Sequence, residues 1–234
     1  MATKLGSAAV DERGKYSGGK AGDQTGKEVR IKDFYVHSKG WVVLRAKDIT
    51  VAEKLAKAMT IACNNENIGY DQGNRLGAFN HGVETTVKTE ADCSGLVRAC
   101  IKYAGYEVGN FTTATERTVL LATGLFDAFD FVSESKTPLY EGDILVTKTK
   151  GHTEIVVSGN KRTAGTPVSN EYKVQVTASA LNIRKGPGTS YGKVGIIRDK
   201  GTYTIVEEKN DWGLLKGYQS GRNGWISLKY TKKK

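Results

Sequence analysis

The residues best suited to chemistry in this 234-residue chain are one cysteine, Cys93, and three histidines. Cys93 follows Asp92, a residue type that caps helices, at a predicted helix start. A thiol is a useful nucleophile as its thiolate, and the unpaired N–H groups of a first helical turn lower a cysteine pKa. The pattern therefore predicts that Cys93 is a nucleophile. The alternative interpretation is an inert, buried thiol.

A cysteine nucleophile needs a base, and the choice lies among His37, His81 and His152. His152 is preferred because it opens an apolar strand directly after a turn, which gives a base a rigid mount. His81 stands in a polar loop, and the surroundings of His37 give no tie to the cysteine. The prediction is a pair of Cys93 and His152.

Helices are predicted to position the cysteine. Thr50 and Glu53 have the spacing of a capping box. A second helix begins at Cys93 and ends before Gly105, and a third follows Thr113. The apolar face predicted for the first helix comprises Val51, Leu55, Ala58, Met59 and Ala62, and Val119, Leu120, Leu121 and Phe126 are the predicted buried residues of the third.

Strands are predicted for the rest of the chain. A hairpin pairs 144–146 with 155–157, and short strands with regular turns run from Tyr172 to the end. The predicted fold class is α+β, with helices packed on an antiparallel sheet, followed by a small all-β barrel. The predicted domains are 1–158 and 172–234, joined by a linker at 159–171.

Residues 1–30 are polar and rich in glycine. One interpretation is a flexible surface arm. The other is a loop laid along a cleft, where glycine lets backbone approach a ligand.

Composition narrows the function classes. Apolar residues make up 38% and charged residues 26% of the chain, as in globular proteins. Three cysteines, Cys63, Cys93 and Cys100, are too few for a disulfide framework and fit no zinc spacing. Neither an apolar leader nor a membrane-spanning run is visible, so synthesis in a cytoplasm is expected without a signal peptide.

The net charge of +10 is uneven. Residues 171–234 carry 13 basic and 5 acidic side chains, whereas 1–170 carry 22 and 20. The excess predicts an anionic partner for the C-terminal part. A nucleic acid is disfavoured because the basic residues are spread out rather than gathered in one motif.

The stretch Asp92-Cys93-Ser94-Gly95-Leu96-Val97, followed by Gly142-Asp143-Ile144-Leu145 and Gly151-His152, resembles the NlpC-type cell-wall cysteine peptidases. The related CHAP amidase/peptidase group has the same general design. The resemblance spans about residues 50–160. It implies a papain-like domain that cuts an amide bond in peptidoglycan stem peptides, without a metal or other cofactor.

The same resemblance implies roles for single residues. Cys93 is the expected nucleophile and His152 the expected base, while Tyr70 and the adjoining Asp71 are expected to bind substrate. The family places a third polar residue after the base to orient it. Asn160 is preferred for this role here, and Glu154, which shares a strand face with His152, and a backbone carbonyl are the alternatives.

The C-terminal stretch from Ala180 to Tyr191, with Trp212-Gly213 and Gly224-Trp225-Ile226, resembles the bacterial Src-homology-3-like domain. That resemblance implies binding to the cell wall, and Tyr191 and Tyr218, in glycine-rich turns, are the expected contact residues.

Together, the two resemblances imply a phage endolysin-like peptidoglycan hydrolase. It would act as a monomer at the bacterial wall after release through a holin-type pore. The preferred reaction is endopeptidase cleavage after γ-D-Glu, with N-acetylmuramoyl-L-alanine amidase activity as the alternative. A wall-binding protein that has lost activity is the alternative of another class.

Overall fold

A computed structural model describes residues 2–26, 28–163, 171–217 and 224–234. The chain divides into two compact units, Met1–Thr166 and Pro167–Lys234. The predicted α+β class is confirmed, with helices and an antiparallel sheet in the first unit and an all-β second unit.

The first unit is built on a six-stranded antiparallel sheet in the order β2-β1-β8-β7-β3-β6. Two further short strands, β4 and β5, pair in parallel. The strands are β1 (Lys4–Ala8), β2 (Val29–Asp33), β3 (Trp41–Ala46), β4 (Ile68–Gly69), β5 (Thr89–Glu90), β6 (Phe126–Asp130), β7 (Ile144–Thr147) and β8 (Thr153–Ser158). The helices are α1 (Ile49–Cys63), α2 (Gly77–His81), α3 (Cys93–Tyr103) and α4 (Glu116–Ala122).

Helix α1 has the predicted apolar face, since all five of its predicted core residues are buried. The predicted capping box is wrong, however. Asp48 is the N-cap, and its carboxylate accepts a hydrogen bond from the Thr50 N–H at 2.7 Å. An aspartate ahead of the helix therefore takes the capping role predicted for Thr50.

The third helix is shorter than predicted. Leu120 is buried in α4, but Leu121 is exposed and Phe126 lies in β6. Helix α2 was not predicted at all, because its five residues fall inside a polar stretch without periodicity.

The turn before β7 holds α1 against the sheet. Gly142 has a φ of 86°, and a Cβ there would lie 2.1 Å from the Ala52 carbonyl oxygen. The carboxylate of Asp143 binds Arg45 through two hydrogen bonds of 2.8 and 2.6 Å, and both side chains are buried. This pairing compensates two charges that would be unfavourable alone in the core.

The chain continues to pack on the first unit after β8. The Arg162 guanidinium donates to the Ala46 carbonyl and, at 3.2 Å, to that of Lys47. The first unit therefore extends beyond residue 158, where the sequence placed the start of a linker.

The second unit is a seven-stranded antiparallel sheet in the order β11-β10-β14-β13-β12-β9-β15. Its core comprises Val174, Val176, Leu181, Ile183, Ile197, Ile205, Leu215 and Ile226. Its elements are β9 (Tyr172–Val176), β10 (Leu181–Arg184), β11 (Lys193–Ile197), β12 (Thr202–Lys209), β13 (Trp212–Leu215), β14 (Trp225–Ser227), a short 3₁₀ helix (Leu228–Tyr230) and β15 (Thr231–Lys233).

Candidate active site

Cys93 is the first residue of α3, and Asp92 is its N-cap, as predicted. The Asp92 carboxylate accepts hydrogen bonds from the Gly95 N–H and the Ser94 hydroxyl and forms an ion pair with Arg75 at 2.8 Å. A Cβ on Gly95 would lie 1.9 Å from the Arg75 carbonyl oxygen, so this position needs glycine. The Asp92–Arg75 pair and Gly95 therefore fix where the helix begins and where the thiol stands.

The predicted low pKa of Cys93 is wrong for the unliganded protein. Burial raises its pKa to about 12, and the nearby carboxyl groups of Asp92 and Glu116 add to the effect. The N–H groups of Thr153 and Ser94 favour the thiolate but do not outweigh burial. Cys93 is only 9% exposed, so the resting side chain is a neutral thiol.

His152 stands directly before β8, and its Nε2 lies 2.8 Å from Oε1 of Glu154. Glu154 is fully buried and lies on the same face of the strand, two residues on. Burial alone would raise the pKa of Glu154, but the hydrogen bonds and charges of His152 and Lys32 lower it. The glutamate is therefore a carboxylate that holds the imidazole.

The geometry does not support the preferred assignment of Asn160 as the residue that orients His152. Its amide donates to the Leu139 carbonyl at 3.1 Å. Strand β8 separates it from His152, and a strand of this length covers roughly 17 Å. Glu154, the alternative that the alternation of strand faces had suggested, is the residue in contact with His152.

The structure brings the cysteine to the end of β8 that carries the histidine. Helix α3 packs against β8, and the Thr153 N–H donates a hydrogen bond to Sγ of Cys93. Thr153 directly follows His152 in the chain. The nucleophile and base predicted from the sequence thus lie on neighbouring elements of the fold.

Tyr70 belongs to the same site, whereas Asp71 has a local structural role. Burial and, to a smaller extent, the nearby Cys93 and Asp92 raise the pKa of Tyr70 to about 12, against the hydrogen bond from Gln72. The carboxylate of Asp71 accepts hydrogen bonds from the backbone N–H groups of Gly18 and Gly73. Asp71 therefore ties together the loops that contain Gly18 and Gly73.

The glycine-rich N-terminal segment is not a loose arm in its described part. The Gln72 N–H donates to the Tyr16 carbonyl at 2.9 Å, and the ring of Tyr16 packs edge-on against that of Tyr70. Tyr16 is 62% exposed. Residues 4–8 form β1, which lies inside the sheet between β2 and β8. The segment thus lies along the side of the site that carries Tyr70.

Three further residues surround this site and are not predicted from the sequence. The Tyr35 hydroxyl donates to Oε1 of Glu154 at 3.2 Å, and Lys32 forms an ion pair with the same oxygen at 2.7 Å. Glu116, at the start of α4, is fully buried near Cys93. The alternation of β2 could have placed Lys32 on one sheet face, but no local pattern identifies Tyr35 or Glu116.

Of the other two histidines, His37 borders this arrangement, because burial and then the nearby His152 lower its pKa. His37 packs its ring against those of Tyr35 and Trp41, and its Nδ1 accepts a hydrogen bond from the Lys39 N–H. His81 is exposed in α2.

In the second unit, the ring of Tyr191 is half exposed and lies against Gly186. The Arg184 guanidinium donates to the Tyr191 carbonyl and stands 6.0 Å from the Trp212 ring centre. These residues form a patch of aromatic and basic groups. Tyr218, the other predicted contact residue, lies outside the described residues.

Among the described residues, no group of three or more His, Cys, Asp or Glu side chains is arranged to hold a metal ion. Within the same ranges, the helices are too short or too polar to cross a bilayer.

Comparison with known families places both units. The family model described as an endolysin-like domain matches residues 5–163, and the one described as a bacterial SH3 domain matches residues 179–232. A search of curated proteins found no match. Since the first match covers more than half of the chain, the protein belongs to the endolysin-like domain family and carries a C-terminal bacterial SH3 domain.

Proposed function

We propose that the protein is a peptidoglycan hydrolase that cuts an amide bond of the stem peptide, with Cys93 as nucleophile and His152 as base. The observation that carries the proposal is the placement of Cys93 at a capped helix start, bonded to the N–H of Thr153, beside the His152–Glu154 pair. The packing of α3 on an antiparallel sheet supports the proposal that this domain is papain-like, as the resemblance implies.

The first step is acyl transfer. Because Nε2 of His152 faces Glu154, Nδ1 is the atom that receives the thiol proton. The sulfur attacks the amide carbonyl, and the C–N bond breaks as His152 returns the proton to the leaving amine. Water, deprotonated by His152, then releases the acid and restores the thiol.

The oxyanion of this reaction needs donors that are already in place. As the first residue of α3, Cys93 has a backbone N–H with no partner inside its helix. We infer that this N–H supplies one of the donors that stabilise the charge developing on the carbonyl oxygen.

The neutral resting thiol assigns a specific task to Glu154. With burial opposing a thiolate, proton transfer depends on stabilising the imidazolium that forms. Glu154 does this as a buried carboxylate at 2.8 Å, and the Tyr35 hydroxyl holds that carboxylate in place. The thiolate then forms during the reaction rather than before it.

The N-terminal segment forms one wall of the proposed substrate cleft, with Tyr16 as its exposed aromatic side chain. Deleting residues 1–28 would remove β1 from the sheet and test only folding. Tyr16→Ala is the cleaner change. We expect KM for wall fragments to rise several-fold with little change in thermal stability, because the ring is 62% exposed.

The proposed reaction is endopeptidase cleavage after γ-D-Glu, and the amidase reaction at the muramic acid–L-Ala bond is the competing one. Mass spectrometry of fragments released from purified peptidoglycan separates them. New N-termini within the stem peptide support the endopeptidase, and intact stems starting with L-Ala support the amidase. If only glycosidic bonds are broken, both assignments are wrong.

A second candidate is a wall-binding protein without turnover, and the raised pKa of Cys93 favours it. Alkylation of Cys93 by iodoacetamide at pH 7 discriminates the two. In the enzyme, His152→Ala slows alkylation on the order of tenfold or more because the base is lost. His81→Ala, at an exposed histidine of α2, is the matched control. Equal rates in all three proteins would favour the inert thiol.

For the second unit, we propose that it retains the protein on the wall. Its net charge of +8 attracts anionic wall polymers, and Tyr191 and Trp212 provide the aromatic contacts beside Arg184.

A further inference from the structure

Glu116 is a buried acid next to the nucleophile that the reaction described above does not use. It is the first residue of α4 and is fully buried. Its Oε1 accepts a hydrogen bond from the Thr153 hydroxyl at 2.8 Å, while its Oε2 is buried without a hydrogen-bond partner among the described residues. An unpartnered carboxylate oxygen in the core is unfavourable, so this position favours the neutral acid.

Thr153 connects this acid to Cys93. Its hydroxyl donates to Glu116, and its backbone N–H donates to Sγ of Cys93. One residue therefore contacts both the carboxyl and the thiol. Because both groups are buried, a charge on the carboxyl affects the ionisation of the sulfur with little screening by water. In such surroundings a nearby negative charge strongly opposes a second one.

We propose that Glu116 is a positioning residue that controls the ionisation of Cys93: as a neutral acid it permits the thiolate, and on losing its proton it suppresses the thiolate. The proposal rests on the catalytic role of Cys93 put forward above. It makes the pH dependence of Cys93 ionisation depend on a buried residue that takes no part in the proposed acyl transfer.

The pH range follows from the burial of the acid. Burial raises the pKa of Glu116 to about 8, and the nearby Asp92 raises it too, against the hydrogen bond from Thr153. Below that pH the carboxyl is neutral, and above it a negative charge adds to the desolvation that already raises the pKa of Cys93.

Other charged or titratable groups face the same region and must be separated from Glu116. They come from the loop before α3, β8 and the turn before it, β2, and the segments after β2 and β4, and they are Asp92, Arg75, His152, Glu154, Lys32, Tyr35, His37 and Tyr70. Replacing Glu116 alone leaves all of them in place, so a change in pH dependence reports on Glu116.

The test is the alkylation rate of Cys93 in Glu116→Gln and in the unchanged protein between pH 6 and pH 9.5. Iodoacetamide is the probe, and peptide mass spectrometry distinguishes Cys93 from Cys63 and Cys100. We expect the ratio of the variant rate to the unchanged rate to rise on the order of tenfold across this range, which corresponds to coupling of one pKa unit. A ratio that stays constant with pH overturns the proposal.

Thr153→Val provides a second test that leaves the carboxyl intact. Loss of the hydroxyl removes the hydrogen bond that lowers the Glu116 pKa, so the flattening of the rise in Cys93 alkylation with pH should have its onset at higher pH. Thr153→Ser keeps the hydroxyl and should keep the original onset. Identical onsets in the Val and Ser variants contradict the proposal, even if Glu116→Gln does not fold.

These outcomes are distinct from failure of the proposed function. A pH-dependent ratio in a protein that releases no wall fragments supports the coupling and refutes the hydrolase. A constant ratio in a protein that clears walls refutes the coupling alone.

Discussion

The two units treat charge in opposite ways. The first buries a whole set of charged side chains, among them Arg45, Glu116, Asp143 and Glu154. In the described residues of the second unit, every buried side chain is apolar, although this unit carries most of the net charge of the chain. Charged side chains are therefore buried in the first unit, whereas none of those described in the second unit is buried.

This difference in buried charge fits the proposed roles of the two units, catalysis in the first and wall binding in the second. Buried charges are unfavourable unless they are paired, and functional sites are where proteins retain them. In the first unit Glu154 and Glu116 lie within reach of His152 and Cys93, while Arg45 and Asp143 hold the turn that leads into β7. The second unit has an ordinary apolar core, which leaves its basic residues free to face a partner.

The largest expected effect comes from breaking a buried pair in the first unit. Arg45→Met leaves Asp143 as a buried charge without its ion-pair partner, and should lower the free energy of unfolding by about 3–5 kcal/mol. Lys216→Met removes the partner of Glu171, an exposed pair of the second unit, and should change it by less than about 1 kcal/mol. Urea unfolding of both variants measures the contrast. Equal losses would contradict the division between the units.

The next effect concerns activity rather than stability. Glu154→Gln removes the charge that stabilises the His152 imidazolium and should lower kcat by about a hundredfold. Asn160→Ala, at the residue that the sequence had favoured, is the control and should leave kcat within about twofold. Wall clearing measured with both variants at equal folded concentration decides between the two residues, and a larger loss in the Asn160 variant would reverse the assignment.

The smallest effect belongs to the second unit. Arg184→Gln removes one charge beside Trp212 and should weaken wall binding by about threefold to tenfold at low salt. Because exposed charges are screened, the difference should shrink as salt rises to 0.5 M. Co-sedimentation with purified walls measures it. A difference that does not depend on salt would mean that Arg184 acts through packing.

Periodicity predicted the elements that are defined locally. The apolar face of α1, the start of α3 at Asp92 and the β7–β8 hairpin each have a pattern within a few residues. Strand β1 has none, because four of its five residues are small or polar and its partners lie in β2 and, far along the chain, in β8. Only tertiary pairing makes that segment a strand.

The candidate site shows the same division. Cys93 and His152 could be selected because each follows a local feature, a cap or a turn. Glu116 and Tyr35 could not, since what matters about them is burial beside residues distant in sequence. The pKa of Cys93 also depended on the tertiary fold, because desolvation outweighed the helix start. The sequence alone favours Asn160 over Glu154 as the residue that orients His152, because the contact between Glu154 and His152 is visible only in the fold.

The central claim is that Cys93 is the nucleophile of a wall hydrolase, and a wall-clearing assay with Cys93→Ala tests it most directly. Cys63→Ala, which removes the same atom from a thiol at the end of α1, is the matched control. We predict that Cys93→Ala abolishes clearing yet still sediments with walls, while Cys63→Ala clears them. Clearing by Cys93→Ala at the unchanged rate would contradict the account.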